Sequence, residues 1–327
     1  MERNILTELV PLDSIRVDSP YGIRFDYRDP LLEKSLEKRG VLFPLLLARQ
    51  PGKQAVVISG HKRFFFARIK KWETLPAFYA EENFSEKELF LLSLYSNWNQ
   101  NFSELDRMVA IQKARQSFGF TETEIREEIL PALALSPLQT AWQEYETVGK
   151  LTDAIHRLIF EKRLPFRGSA SLARFSGEDQ EFLASKVFKA LHLTTNQLTL
   201  IAEWLSDLRK IKKASLEAIL GEESLPRILQ DPHLDLRAKG ERFFGNLRRL
   251  RFPRLSEVEK DFRSLANEFK KEKEIHLEPP VGFETEGISL RAHLKDRESL
   301  SRVLQFLKVN QHRLETFLAV PPKKLEE

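Results

Sequence analysis

The chain contains no cysteine. That absence excludes disulfides, zinc–thiolate sites and thiol nucleophiles, and it removes the residue on which sulfur redox chemistry depends. Long hydrophobic runs are also missing. Nothing approaches the roughly 20 apolar residues of a membrane helix, so no membrane association is expected. Residues 1–6 lack the apolar core of a signal peptide, and a cytoplasmic location is expected. The seven histidines, at 61, 156, 192, 233, 276, 293 and 312, show no metal-ligand spacing. No acidic pair stands out near Gly60, and there is no internal repeat or low-complexity block.

The 327 residues suffice for two or three domains with a sizeable core. With 42% hydrophobic and 31% charged residues, the composition suits a globular protein rich in helix. The net charge of +4 permits nucleic-acid binding without requiring it.

Apolar spacing predicts an α+β N-terminal domain with a small mixed sheet, followed by a mostly α-helical remainder. The expected boundaries are 1–84, 85–192 and 193–327. A short strand and turn are expected over residues 5–19, and strands at Pro44–Ala48, Ala55–Ser59 and Leu75–Ala80. Pro76 argues for a sheet edge in the last of these. Asp29-Pro30 opens a helix that Gly40 ends. Ser85, and Thr121 with Glu124 three residues on, mark later helix starts. Further helices are expected at about 137–148, Thr152–Glu161, Arg167–Arg174, Glu181–Leu191 and Thr195–Lys212, with residues 176–179 as a turn. A short extended piece near 288–290 and a helix over 297–317 close the chain.

Gly60-His61-Lys62-Arg63-Phe64-Phe65-Phe66-Ala67 is the stretch with chemistry in it. A buried strand runs into a glycine, two cations follow, and the apolar spacing then turns helical. Free amides at a helix start, the positive end of the helix dipole and adjacent cations together favour bound phosphate. A solvated basic turn before an amphipathic helix fits the spacing equally well.

Three motifs in order resemble the ParB/sulfiredoxin superfamily, in the branch of ParB-type partition proteins. The first runs from Ile15 to Arg24, then Gly40-Val41-Leu42-Phe43-Pro44-Leu45. The second is Gly60 to Ala67, resembling G-E-R-R-x-x-A with one extra residue. The third is Ser96-Asn97-Trp98-Asn99-Gln100, resembling E-N-x-Q-R. Residues 120–124 resemble the opening of the family's helix-turn-helix region, and 151–173 the helices after it.

The resemblance implies a nucleotide-gated protein that binds CTP with Mg2+ and associates with DNA. It would be a homodimer, nucleoid-associated, with a partition ATPase or another protein as partner. Arg24, Gly60, His61, Lys62, Arg63 and Asn97 would hold the nucleotide, and Asn97 would lie near the metal. DNA contacts would fall to Gln139, Thr140 and Gln143 on the helix at 137–148, and to Lys162, Arg163 and Arg167 after it.

The departures from the family pattern carry their own expectations. Ser96 stands where the third motif has Glu, and Gln100 where it has Arg, so any CTPase activity is expected to be weak, with turnover suffering more than binding. His61 stands in place of a Glu, either as a solvent-facing turn residue or as an imidazole against phosphate. Residues 137–148 carry two Glu and no Lys or Arg, which suits a packing helix better than a DNA reader. Two alternatives follow: a protein-interaction or regulatory module on the same fold, without nucleotide turnover, and a nuclease on that fold. Arg248, Arg249, Arg251 and Arg254 form a second basic cluster, with Glu257 and Glu259 as nearby partners.

Overall fold

A computed structural model describes residues 7–50, 52–97, 101–222, 224–270, 274–279 and 287–319, with backbone alone at 139–141. Two compact units emerge, Met1–Thr199 and Leu200–Glu327.

The first unit begins with a four-stranded mixed sheet in the order β1-β4-β2-β3. Its strands are β1 (Glu8–Pro11), β2 (Leu45–Ala48), β3 (Val56–Ser59) and β4 (Thr74–Tyr79). β1 runs antiparallel to β4, β4 parallel to β2, and β2 antiparallel to β3. Helices α1 (Pro30–Arg39) and α2 (His61–Ile69) accompany the sheet. Phe64 and Ala67 of α2 join Val10, Leu45, Leu47, Val57, Leu75 and Ala77 in one core. Asp29 caps α1 by accepting from Leu32 N, Pro30 holds its first turn, and Gly40 closes it at φ 68°.

Pro76 does not mark an edge, because β4 is internal. Leu12 N donates to Glu73 O at 2.9 Å. The alternation along this antiparallel ladder leaves Leu9 and Pro76 as a non-hydrogen-bonded pair. The N–H that proline lacks would therefore point to the β2 side, where pairing begins only at Ala77. The sheet tolerates the residue because no ladder bond is due at that position.

Helices then take over: α3 (Glu86–Tyr95), α4 (Glu104–Gln116), α5 (Glu122–Glu124), α6 (Leu130–Ala132), α7 (Gln139–Val148), α8 (Asp153–Phe160), α9 (Phe166–Ser169) and α10 (Gly177–Lys186). Ser85, Ser103 and Thr121 each close a capping box, with Glu88, Asp106 and Glu124 respectively. A π-helical turn, Ile125–Ile129, joins α5 to α6, and Pro131 lies within α6. Residues 177–179 open α10 instead of forming a turn, because the Ser176 side chain accepts from Asp179 N.

α11 (Thr195–Lys212) runs on into the second unit. There α12 (Leu216–Leu220), α13 (Ser224–Gln230), α14 (Leu236–Arg251), α15 (Pro253–Phe269) and α16 (Arg297–Leu318) accompany a two-stranded ribbon of β5 (Ile275–Glu278) and β6 (Ser289–Ala292). Leu265, Phe269, Ile275 and Val303 form its core with Phe306, Leu314 and Phe317. Arg248 is held by Glu259 in a two-pronged pair at 2.7 Å per arm, and Arg251 pairs with Asp207 at 3.1 Å. Those two cations of the second basic cluster are thus committed within the fold.

Candidate functional site

Strand β3 ends at Gly60, whose φ of 103° is a left-handed conformation that glycine accepts without strain. A Cβ there would lie 3.0 Å from both Arg63 Nη2 and Leu45 Cγ. The turn delivers the chain into α2, whose first amides, those of His61, Lys62 and Arg63, have no acceptor within the helix. Residues 60–63 line a cleft of about 100 Å³.

The other wall of the cleft comes from far along the chain. Residues 20–25 have no regular structure of their own, and two helices satisfy their backbone. Ser93 Oγ of α3 donates to Tyr21 O at 2.8 Å. Lys113 Nζ of α4 donates to Pro20 O at 3.1 Å and to Gly22 O at 2.6 Å. Asp106 of α4 accepts from Arg24 Nη1 at 2.9 Å with one oxygen and from Phe25 N at 2.9 Å with the other. This fixes Ile23, Arg24 and Tyr27 opposite the α2 turn. Ser96 and Asn97, at the end of α3, close the cleft.

All six residues expected to hold a nucleotide, Arg24, Gly60, His61, Lys62, Arg63 and Asn97, line this one cleft. Their side chains are engaged in specific ways. Arg24 pairs with Asp106, with both side chains nine-tenths or so buried, and its guanidinium lies over the Phe102 ring. Lys62 pairs with Asp29 Oδ2 at 2.8 Å, which holds the Asp29 carboxyl below the usual carboxylate range. Arg63 donates to Phe43 O and, at 2.9 Å, to Pro44 O, tying α2 to the strand entry at Leu45. Burial lowers its basicity, as it does that of Lys113. Asn97 Nδ2 donates to Ser93 O at 2.8 Å.

His61 is not a solvent-facing turn residue. It is 8% exposed and stacks on Tyr27 with ring centroids 5.4 Å apart. Burial, then the charges of Lys113 and Arg63, push its pKa down to about 3, so the imidazole is neutral near pH 7. Its Nε2 is buried and has no hydrogen-bond partner. Burial also pushes the Tyr27 hydroxyl up to about 12. Tyr27, Lys113 and Asp106 escaped the sequence reading, since each acts through contacts that no local pattern encodes.

The donor set does not suit magnesium. No carboxylate lines the cleft among the described residues, where magnesium sites ordinarily draw on one or two. The nearby carboxylates are taken. Asp29 accepts from Leu32 N and Lys62 with its two oxygens, and Asp106 from Phe25 N and Arg24 with its own. Nor is there, among the described residues, any group of three His, Asp or Glu placed to hold a metal ion. Gln100 and its neighbours Trp98 and Asn99 lie outside the described residues.

The residues expected to meet DNA do not line the cleft. α7 packs by Trp142, Tyr145 and Val148, all buried. Its two acids turn to the protein: Glu144 accepts from Gly168 N at 3.2 Å, and Glu146 pairs with Arg115 at 2.7 Å. Tyr145 donates to Glu104 of α4 and sits 4.9 Å from the Phe166 ring. Gln143 is exposed, while the side chains of Gln139 and Thr140 lie outside the described residues. Lys162 and Arg167 are exposed, and Arg163 pairs with Glu161 at 3.1 Å and donates to Lys189 O at 2.8 Å.

A glycine turn feeding a helix start, cations around it and an opposed extended segment thus share one cleft in a small α+β unit that helices follow. No protein-family model matches the chain. It is 22% identical over 179 residues to the nucleoid occlusion protein of Halalkalibacterium halodurans, covering 54% of this chain and 60% of that one. It is 22% identical over 200 residues to the probable chromosome-partitioning protein ParB of Vibrio cholerae, covering 60% and 65%. The chain thus spans less than two thirds of the length of these relatives. Two structures of the C-terminally truncated ParB of Caulobacter crescentus, one with the parS site and one with CTP-gamma-S, match at 17% identity. They cover 60% and 55% of this chain and 98% and 97% of theirs, with TM-scores of 0.36 and 0.25, too low to carry an argument. By its sequence relatives this is a ParB-like protein. Among the described residues, no helix is long and apolar enough to cross a membrane.

Proposed function

We propose that this chain is a nucleotide-binding, DNA-associated ParB-like protein acting in chromosome or plasmid partition or in gene regulation. The nucleotide is CTP, as the motif resemblance implies. One observation carries the reading: the six residues named from three separated motifs line a single cleft at the start of α2. Helix-start amides, Lys62 and Arg24 supply the positive potential that phosphate needs. The bound nucleotide bridges α2 and the end of α3, and so biases the helices that follow. DNA is held by exposed cations such as Lys162 and Arg167, which contact phosphate and read no sequence. The resemblance also implies a second copy of the chain and a partition ATPase as partners.

A second reading, an interaction module that keeps the fold without reading DNA, is favoured by α7. Its buried face and paired acids leave Gln143 as the one described side chain of that helix fully open to solvent.

Calorimetric titration with CTP, ATP and GTP tests the nucleotide site. Binding of CTP in preference to the others is the expected result. Silence from all three at millimolar concentration would overturn it. Retention of random duplex DNA that fails in high salt is expected of phosphate contacts, and its absence at low salt would leave the interaction module as the reading.

A further inference from the structure

We infer that the cleft takes its phosphate ligand free of any divalent cation, with the protein's own charges doing what a metal ion does elsewhere. The inference rests on the cleft being the nucleotide site proposed above. Three observations converge on it.

First, the lining offers phosphate donors and no hard anionic ligand. Arg24, Lys62, Arg63 and the start of α2 line the cleft, and among the described residues the side-chain oxygens of the lining, those of Tyr27, Ser59, Ser96 and Asn97, are all neutral. The two carboxylates behind the wall, Asp29 and Asp106, have all four oxygens engaged by amides and cations.

Second, positive charge is already in excess. Lys113 stands behind residues 20–22, adding to the three cations of the lining, while Asp29 and Asp106 are already paired with Lys62 and Arg24. The field of Lys113 and Arg63 acts at His61 in the direction that disfavours a cation. A divalent ion at the same place meets the same opposition, whereas a phosphate with its full negative charge is favoured.

Third, the helix-start position where the resembled motif has Glu carries a neutral, buried imidazole. His61 is nine-tenths buried, its ring is fixed against Tyr27, and its Nε2 has no partner within the protein. With its Nε2 enclosed by protein, the neutral ring adds neither negative charge nor a ligand oxygen to the cleft, where a carboxylate would add both.

The test is calorimetric titration of the full chain with CTP in excess EDTA and in excess magnesium. CTP is expected to bind at least as tightly in EDTA. Binding seen only with magnesium, or about tenfold tighter with it, overturns the metal-free site and leaves the nucleotide site standing. Silence in both solutions overturns both. The Ser96→Glu variant sharpens the comparison. It places a carboxylate on the exposed end of α3 at the cleft. Its affinity is expected to fall about tenfold in EDTA and to recover in magnesium. A Ser96→Glu protein that binds equally well in both solutions would contradict the claim that a missing carboxylate is what keeps the ion out. Melting curves for the variant separate loss of binding from loss of fold.

Discussion

The α2 cleft and helix α7 meet their sequence motifs in opposite ways. At the cleft, polar residues separated by up to 73 positions in the chain, Arg24 to Asn97, are brought to one surface. At α7, Gln143 is exposed while the two acids of the helix are engaged within the protein. Glu144 and Glu146 are spent on a backbone amide and on Arg115, and the helix is anchored by Trp142 and Tyr145.

The largest effect should come from α7 itself. Trp142→Ala removes a buried ring lying against the Arg115 guanidinium. It is expected to cost about 3–5 kcal/mol in chemical denaturation. A loss below about 1 kcal/mol would mean that α7 is not a packing helix.

The cleft should show itself next, through pH. His61 is neutral and buried in the folded protein, with its pKa lowered from 6.5 to about 3. The unfolded chain therefore binds the proton first as pH falls. Stability from this group is full above about pH 6.5 and is lost progressively down to about pH 3. Between pH 6.5 and 5 the loss is about 2 kcal/mol. In His61→Phe that part of the slope should vanish, and denaturation midpoints at the two pH values measure it. An unchanged slope would mean that His61 is not buried as described.

Gly60→Ala comes third. The left-handed φ and the 3.0 Å approach of Arg63 and Leu45 should cost about 1–2 kcal/mol by thermal melting. A neutral outcome would show that the turn relaxes freely and does not fix the helix start. The smallest effect is expected at Gln143→Ala, within about 0.5 kcal/mol for stability. DNA retention should also be unchanged, and a clear loss of retention would restore α7 as a DNA-contacting helix.

What could be read from sequence follows from the range of the forces. Asp29-Pro30, Gly40, Ser85 and Thr121 end or begin helices through bonds to residues a few positions away, so their roles were legible. The mixed sheet was legible as a set of apolar segments, but its order was not, and Pro76 was misplaced because edge or centre is decided by which strands meet. The ribbon strand β5 was missed, being four residues whose partner lies across residues 279–288. Within the cleft, the glycine turn and its cations were visible. The residues that set its electrostatics were not: Asp106 meets Arg24 across 82 positions and Lys113 meets Gly22 across 91. The burial of His61 depends on Tyr27, which no periodicity connects to it.

The central claim is that the start of α2 is a phosphate cradle. Lys62 tests it most directly, because its side chain lines the cleft and its partner Asp29 holds it in a half-exposed pair that contributes little to stability. Calorimetric titration of CTP into Lys62→Ala and the unaltered chain, with melting curves alongside, is the measurement. The expected result is affinity at least about tenfold weaker in the variant, with the melting temperature nearly unchanged. Equal affinity in the two proteins would contradict it.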